Sequence, residues 1–167
     1  FRSNGVTDEE IKQGMASFRG VDRRFDFKIK TSRLVFLSDY AHHPAEIAQS
    51  VKSVRELYKD KKITAIFQPH LYTRTRDFYK DFADSLSLLD EVILTEIYPA
   101  REQPIPGVSS RLIYDNLRPG IEKCICPKED ILNLLSKKSV EVLIVLGAGD
   151  LDNYVPSITQ LLEQQSK

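Results

Sequence analysis

The sequence predicts an α/β domain whose mainly parallel sheet is covered by helices on both faces. Three observations support this. Short runs rich in Val, Ile and Leu alternate with longer stretches whose apolar residues recur at helical spacing. The apolar runs are largely continuous, as expected of strands buried on both sides. The 167 residues suffice for one compact domain with a real core, leaving room for a short piece of a neighbour.

The elements follow in order. Thr7-Asp8-Glu9-Glu10, followed by Ile11, Met15 and Phe18, reads as a capped amphipathic helix with Thr7 as N-cap and Glu10 completing a capping box. Its apolar face must pack on something. A Gly20–Arg24 junction follows, so residues 1–22 read as the end of another domain plus a linker, and residues 23–167 as the domain proper. Phe25, Phe27 and Ile29 alternate with polar residues and predict a strand; a turn near Lys30–Arg33 leads to a second strand over Leu34–Leu37. Pro44 suits a first helical turn, and Ile47, Val51, Val54, Leu57 and Tyr58 continue that helix. The alternation then repeats: strand 63–67, helix 78–89, strand 91–97, helix 109–117, strand 121–125, helix 128–135, strand 140–146 and helix 151–162. The result is a Rossmann-like arrangement, in which ligands bind at the carboxyl ends of the strands.

Composition excludes several classes. Twenty-four basic residues balance 24 acidic ones, so no global basic field gathers nucleic acid, and any phosphate binding must be local. Cys124 and Cys126, one residue apart, fit neither a zinc knuckle nor a thioredoxin-like pair and read as ordinary strand residues of a reducing cytosol. No apolar run reaches the length of a membrane span, and the amino terminus lacks the apolar stretch of a signal peptide; a cytoplasmic protein that binds no membrane is expected.

Three strand-end loops hold the candidate chemistry. The first is Asp39-Tyr40-Ala41-His42-His43-Pro44, where an Asp can accept two hydrogen bonds from ribose hydroxyls and imidazoles can donate to or stack on a nucleotide. The plainer alternative is that Asp39 or a histidine caps the next helix. A metal site from Asp39, His42 and His43 is disfavoured, because adjacent histidines do not converge on one ion. The second loop runs from Gln68 to Asp77, and its arginines present planar forks to a carboxylate or phosphate. Arg74 lies nearer the strand end, whereas Arg76 could instead pair with Asp77 or Asp81 at the surface. The third loop, Glu96–Ser110, is stiffened by three prolines, with Ser109 available to cap the following helix. Gly147-Ala148-Gly149-Asp150 lacks the third glycine of a dinucleotide fingerprint, and no phosphate-binding P-loop motif is present.

At these loops the sequence resembles the Mur ligases of peptidoglycan synthesis. The likeness is carried by F-R-G-V-D-R-R-F at 18–25, D-Y-A-H-H-P at 39–44, F-Q-P-H-L-Y-T-R-T-R-D at 67–77, E-I-Y-P-A-R-E-Q-P-I-P-G-V-S-S at 96–110 and G-A-G-D at 147–150. The second of these alone is shared widely, whereas the second and fourth together are similar to the branch that adds L-alanine to UDP-N-acetylmuramate. The resemblance implies the carboxy-terminal domain of a three-domain enzyme, inactive alone. In such an enzyme the substrate carboxylate takes the γ-phosphoryl of ATP, and alanine attacks the acyl phosphate. The N-terminal domain would bind the sugar nucleotide, and the central domain would hold the phosphates and Mg2+. Carried over by position, the resemblance implies that Arg24 and Asp39 matter for activity, with Arg24 at the hinge coupling closure to ATP. Asp39 and His42 would face the nucleotide; His70 and Arg74 would meet the incoming amino acid; no residue here would hold metal. Leu71 stands where many relatives carry arginine, which shifts weight onto Arg74. Two other readings are a recycling ligase of the same family that attaches a preformed tripeptide, and a stand-alone nucleotide-binding module.

Overall fold

The computed structural model describes residues 5–17 and 21–166. Its six strands are β1 (Asp26–Lys30), β2 (Val35–Asp39), β3 (Ile63–Phe67), β4 (Glu91–Leu94), β5 (Glu122–Ile125) and β6 (Val142–Leu146). They form one sheet in the order β1-β2-β6-β3-β4-β5. All neighbours are parallel except β1, which pairs antiparallel with β2 at one edge.

Burial explains the middle of the sheet. Every residue of β3, β4 and β6 is buried, and an unbroken apolar strand such as Val-Leu-Ile-Val-Leu is stable only between two covering layers. The helices are α1 (Asp8–Ser17), α2 (Pro44–Leu57), α3 (Tyr72–Leu86), α4 (Arg111–Asn116), α5 (Ile131–Ser136) and α6 (Val155–Gln165). Ile47 and Val51 of α2, Phe82 and Leu86 of α3 and Ile113 of α4 pack on one face. Ile131 and Leu135 of α5 and Ile158 and Leu162 of α6 pack on the other. Each such side chain taken fully from water contributes about 1.5–3 kcal/mol. The expected sheet with helices on both faces is what forms.

Boundaries differ from expectation in instructive places. Helix α3 opens at Tyr72 rather than Phe78, so most of the supposed second loop is helical. Nothing local in the sequence marks that start, because the cap comes from elsewhere: Glu102 accepts hydrogen bonds from the Thr73 amide (3.0 Å) and hydroxyl. Thr75 is fully buried and donates its hydroxyl to the Leu71 carbonyl (2.9 Å). Strand β4 stops at Leu94, short of Ile97, although Tyr98 regains a parallel bridge to His70. The last two helices open with 3-10 turns, Lys128–Asp130 and Asp150–Tyr154. Ser109 accepts from the Arg111 amide (3.3 Å), while Ser110 is the N-cap of α4 and ties its buried hydroxyl to the Thr95 carbonyl.

The capping box of α1 forms as read: the Thr7 amide donates to Glu10 (2.8 Å) and the Glu10 amide to the Thr7 hydroxyl (3.3 Å). No described residue of α1 is buried, and Met15 is 72% exposed. Phe18 and Gly20 of the sequence reading lie outside the described residues. No helix among the described residues is long and apolar enough to cross a membrane.

Candidate functional site

The order of strands builds the site. From β2 the chain passes through α2 to β3, leaving a gap that β6 fills only at the end, so the carboxyl ends of β2, β6 and β3 adjoin where the winding reverses. Doubly wound sheets hold their ligands at such a point, because the connecting loops diverge there.

Asp39 ends β2 and is held from two sides: Oδ1 accepts from the Ala41 amide (3.3 Å), and Oδ2 accepts the Ser50 hydroxyl of α2. The N-cap of α2 is His43, the histidine alternative of the sequence reading, in a capping box with Glu46, whose Oε2 accepts the amides of His42 (3.0 Å) and His43 (3.2 Å). Those two amides hold the Glu46 carboxyl below the usual range, the His42 bond first, against the opposing effect of burial. Asp39 is thus fixed in orientation yet not consumed as a cap. With Arg24, Tyr40, Ala41, Glu46 and Ser50 it lines a cavity of about 130 Å³. The structure therefore brings Arg24 and Asp39 together.

His42 is not among the residues lining that cavity. Its ring lies between Tyr40 (centroids 5.2 Å) and His70 (6.0 Å), with Nδ1 3.1 Å from the Tyr40 carbonyl oxygen. His70 continues the row to Tyr98 at 5.5 Å. Arg74, in the first turn of α3, places Nη1 3.4 Å from Nδ1 of His70, which lies just before the helix. Burial, and then the Arg74 charge, push the His70 imidazole below its ordinary value, so it is a neutral ring that can accept from the guanidinium. The predicted residues fall into two adjoining groups: Arg24 with Asp39, and His42 with His70 and Arg74. Arg76 takes the surface option, donating to Asp77 from Nε (2.7 Å) and Nη2 (3.2 Å).

The sequence reading missed the residues that hold these loops in register. Gln68 is buried at the end of β3; its Nε2 donates to Asp150 (2.8 Å) and its Oε1 accepts the Leu151 amide (3.0 Å). Asp150 also accepts Lys128, and these partners hold its carboxyl below the usual range despite burial. The two glycines of the G-A-G-D loop serve this packing. A Cβ on Gly149 would fall 2.2 Å from Gln68 Oε1 and 2.8 Å from Tyr98 Cβ; one on Gly147, at φ +137°, would fall 2.9 Å from the Gln68 carbonyl oxygen. Glycine is needed there for close approach, which a motif scan reads as phosphate chemistry. Leu71, at φ +75°, is the N-cap of α3. Cys126 is buried and Cys124 half-buried, both thiols raised by desolvation; among the described residues no cluster of three His, Cys, Asp or Glu could hold a metal.

Residues 23–151 match the family model described as Mur ligase, glutamate ligase domain. The chain is 77% identical over 162 residues to a UDP-N-acetylmuramate--L-alanine ligase of Phocaeicola vulgatus, covering 97% of this chain and 35% of that protein. It is 56% identical to the protein of the same name in Parabacteroides distasonis, again over 97% of this chain and 35% of the relative. The chain thus spans about a third of the length of the curated relatives it matches. Among solved structures, the UDP-N-acetylmuramate-alanine ligase of Thermotoga maritima superimposes with a TM-score of 0.76 at 29% identity, over 100% of this chain and 36% of that one. A murein peptide ligase of Psychrobacter arcticus shares the fold, with a TM-score of 0.68 at 17% identity over 96% of this chain and 34% of that one.

Proposed function

Because the chain belongs to the Mur ligase family, through the glutamate ligase domain that residues 23–151 match, we propose that it is the carboxy-terminal domain of a cytoplasmic ligase adding L-alanine to UDP-N-acetylmuramate. The observation that carries this reading is the pairing of two different recognition groups along one sheet edge: Arg24 and Asp39 around a polar cavity, and Arg74 beside the His42–His70–Tyr98 row.

Each group has a task. Asp39, oriented by Ser50 and the Ala41 amide, accepts hydroxyl donors of the nucleotide, and His42 meets the nucleotide from the adjoining aromatic row, outside that cavity. Arg24, on the same cavity, presents positive charge toward the ATP phosphates from the linker side. Arg74 pairs with the carboxylate of the incoming amino acid, and neutral His70 accepts from Arg74 and keeps its fork oriented. The amine of alanine then attacks the acyl phosphate made from the sugar-nucleotide carboxylate and ATP, and inorganic phosphate leaves. The N-terminal and central domains complete the enzyme as its partners, residues 1–22 being the end of the central domain and the linker. Magnesium would be held by the central domain rather than by residues of this chain, and would supply charge neutralisation at the phosphates. Carrying the amino acid on a domain that closes over ATP supplies proximity and excludes water from the reactive intermediate, so this domain alone performs no turnover.

The test is phosphate release from ATP by the full-length ligase with UDP-N-acetylmuramate, comparing L-alanine with the tripeptide that a recycling ligase would use. Release that requires L-alanine, and none from the 167-residue chain alone, is expected. Preference for the tripeptide, or turnover by the chain itself, overturns the assignment.

A further inference from the structure

The segment entering the domain carries two backbone conformations that residues with a Cβ avoid, φ +62° at Arg23 and +48° at Phe25. Arg23 carries a second cost: its Nη2 is buried without a hydrogen-bond partner. Strain and an unsatisfied donor persist together only where the surroundings over-determine the conformation. Here they do. Arg23 Nε pairs with Asp152 Oδ1 at 3.1 Å, and the guanidinium lies 4.9 Å above the Tyr40 ring. The Arg23 carbonyl accepts the Tyr40 amide, and the Arg23 amide donates to Asp26 at 3.3 Å. Tyr40 follows the end of β2, and Asp152 sits in the 3-10 turn after β6, so one side chain grips two adjoining strand ends.

The next residue, Arg24, makes no ion pair among the described residues and lines the Asp39 cavity. We propose that Arg23 is a positioning residue, clasped by Asp152 and Tyr40, that fixes the backbone of residues 21–25 and so aims Arg24 at that cavity. The two adjacent arginines divide the work: one is bound into the domain, and the other is left free for a ligand. The catalytic half of this inference rests on the reading of Arg24 and Asp39 as nucleotide-facing.

Amide hydrogen exchange on this chain tests the clasp at the bond it protects. Asp152→Ala speeds exchange of the Tyr40 amide by about fivefold, the equivalent of a partly buried ion pair. The Gly147 amide, which donates to the Asp39 carbonyl at 3.2 Å, stays as it was. Asp152→Glu restores the protection, and the double variant with Arg23→Ala exchanges no faster than Arg23→Ala alone. In the full-length ligase the same Asp152→Ala change lowers kcat and leaves KM for L-alanine in place. An unchanged Tyr40 amide, or equal acceleration at Gly147, sinks the clasp; altered exchange with unaltered kcat sinks its positioning role. If the full-length enzyme shows no alanine-dependent turnover, the functional assignment fails, while Tyr40 exchange still decides whether the clasp exists.

Discussion

Gly149→Ala is the perturbation whose outcome the geometry sets most tightly. Backbone strain is no objection, since φ is −88° at this position. The objection is space: the new Cβ lies 2.2 Å from Gln68 Oε1 and 2.8 Å from Tyr98 Cβ. The first obstacle ends a flexible side chain, which could swing away on an open surface. Gln68 is only 2% exposed, however, and its amide group is engaged with both Asp150 and the Leu151 amide. Moving it breaks one charge-assisted and one ordinary hydrogen bond, and Tyr98 Cβ, next to the backbone, must yield as well. Losing two such bonds in a buried place and overpacking the loop costs about 2–4 kcal/mol. For a chain of this size that lowers Tm by about 5–15 °C. Urea unfolding of the single variants Gly149→Ala and Gln68→Ala and of the double variant measures it. The double variant should be less destabilised than the sum of the singles, because truncating Gln68 removes the first obstacle. A Gly149→Ala protein within about 0.5 kcal/mol of the parent, the range of an ordinary surface change, or strict additivity of the two substitutions, would refute the packing argument.

The remaining predictions concern charge. Arg74→Lys in the full-length ligase should raise KM for L-alanine by about tenfold or more, the cost of a lost charge-assisted fork, while Arg76→Ala, whose partner Asp77 is exposed, should change it little; equal effects would reject the assignment. The His70 ring should titrate by NMR below a free histidine, and Arg74→Ala should move its midpoint upward; an unmoved midpoint would remove Arg74 as a cause. Glu91 is buried at the opposite end of β4, where burial pushes its carboxyl up but Lys138 and Lys62 hold it below the usual range. A depressed folded value means that the stabilisation is present above the unfolded pKa of about 4.3 and is lost as pH falls through the folded value. Stability measured from about pH 5 to about pH 3 should therefore fall more steeply in the parent than in Glu91→Gln, and parallel curves would exclude Glu91 as the group responsible.

The division between what could be read beforehand and what could not follows the range of the forces involved. Apolar runs such as Val142–Leu146 and the helical spacing of Ile47, Val51 and Val54 report burial directly, so the sequence by itself determined the fold class and the approximate elements. Its strand-end loops drew attention to Asp39, His42 and Arg74 as local polar patterns, whereas Arg24 and His70 entered only through the family resemblance. Tertiary structure alone decided what depends on residues far apart in the chain. Glu102 starts α3 six residues early by capping it from another loop. Gln68 reaches across to Asp150, which turns Gly149 into a packing residue. Only in the folded sheet does the loop after β2 bring His42 within 6.0 Å of His70, and only insertion of β6 beside β2 brings Asp152 within reach of Arg23. Hydrogen bonds and ion pairs across 29 to 129 positions of sequence leave no periodic trace, because periodicity records only which face of an element is buried and not what lies against it.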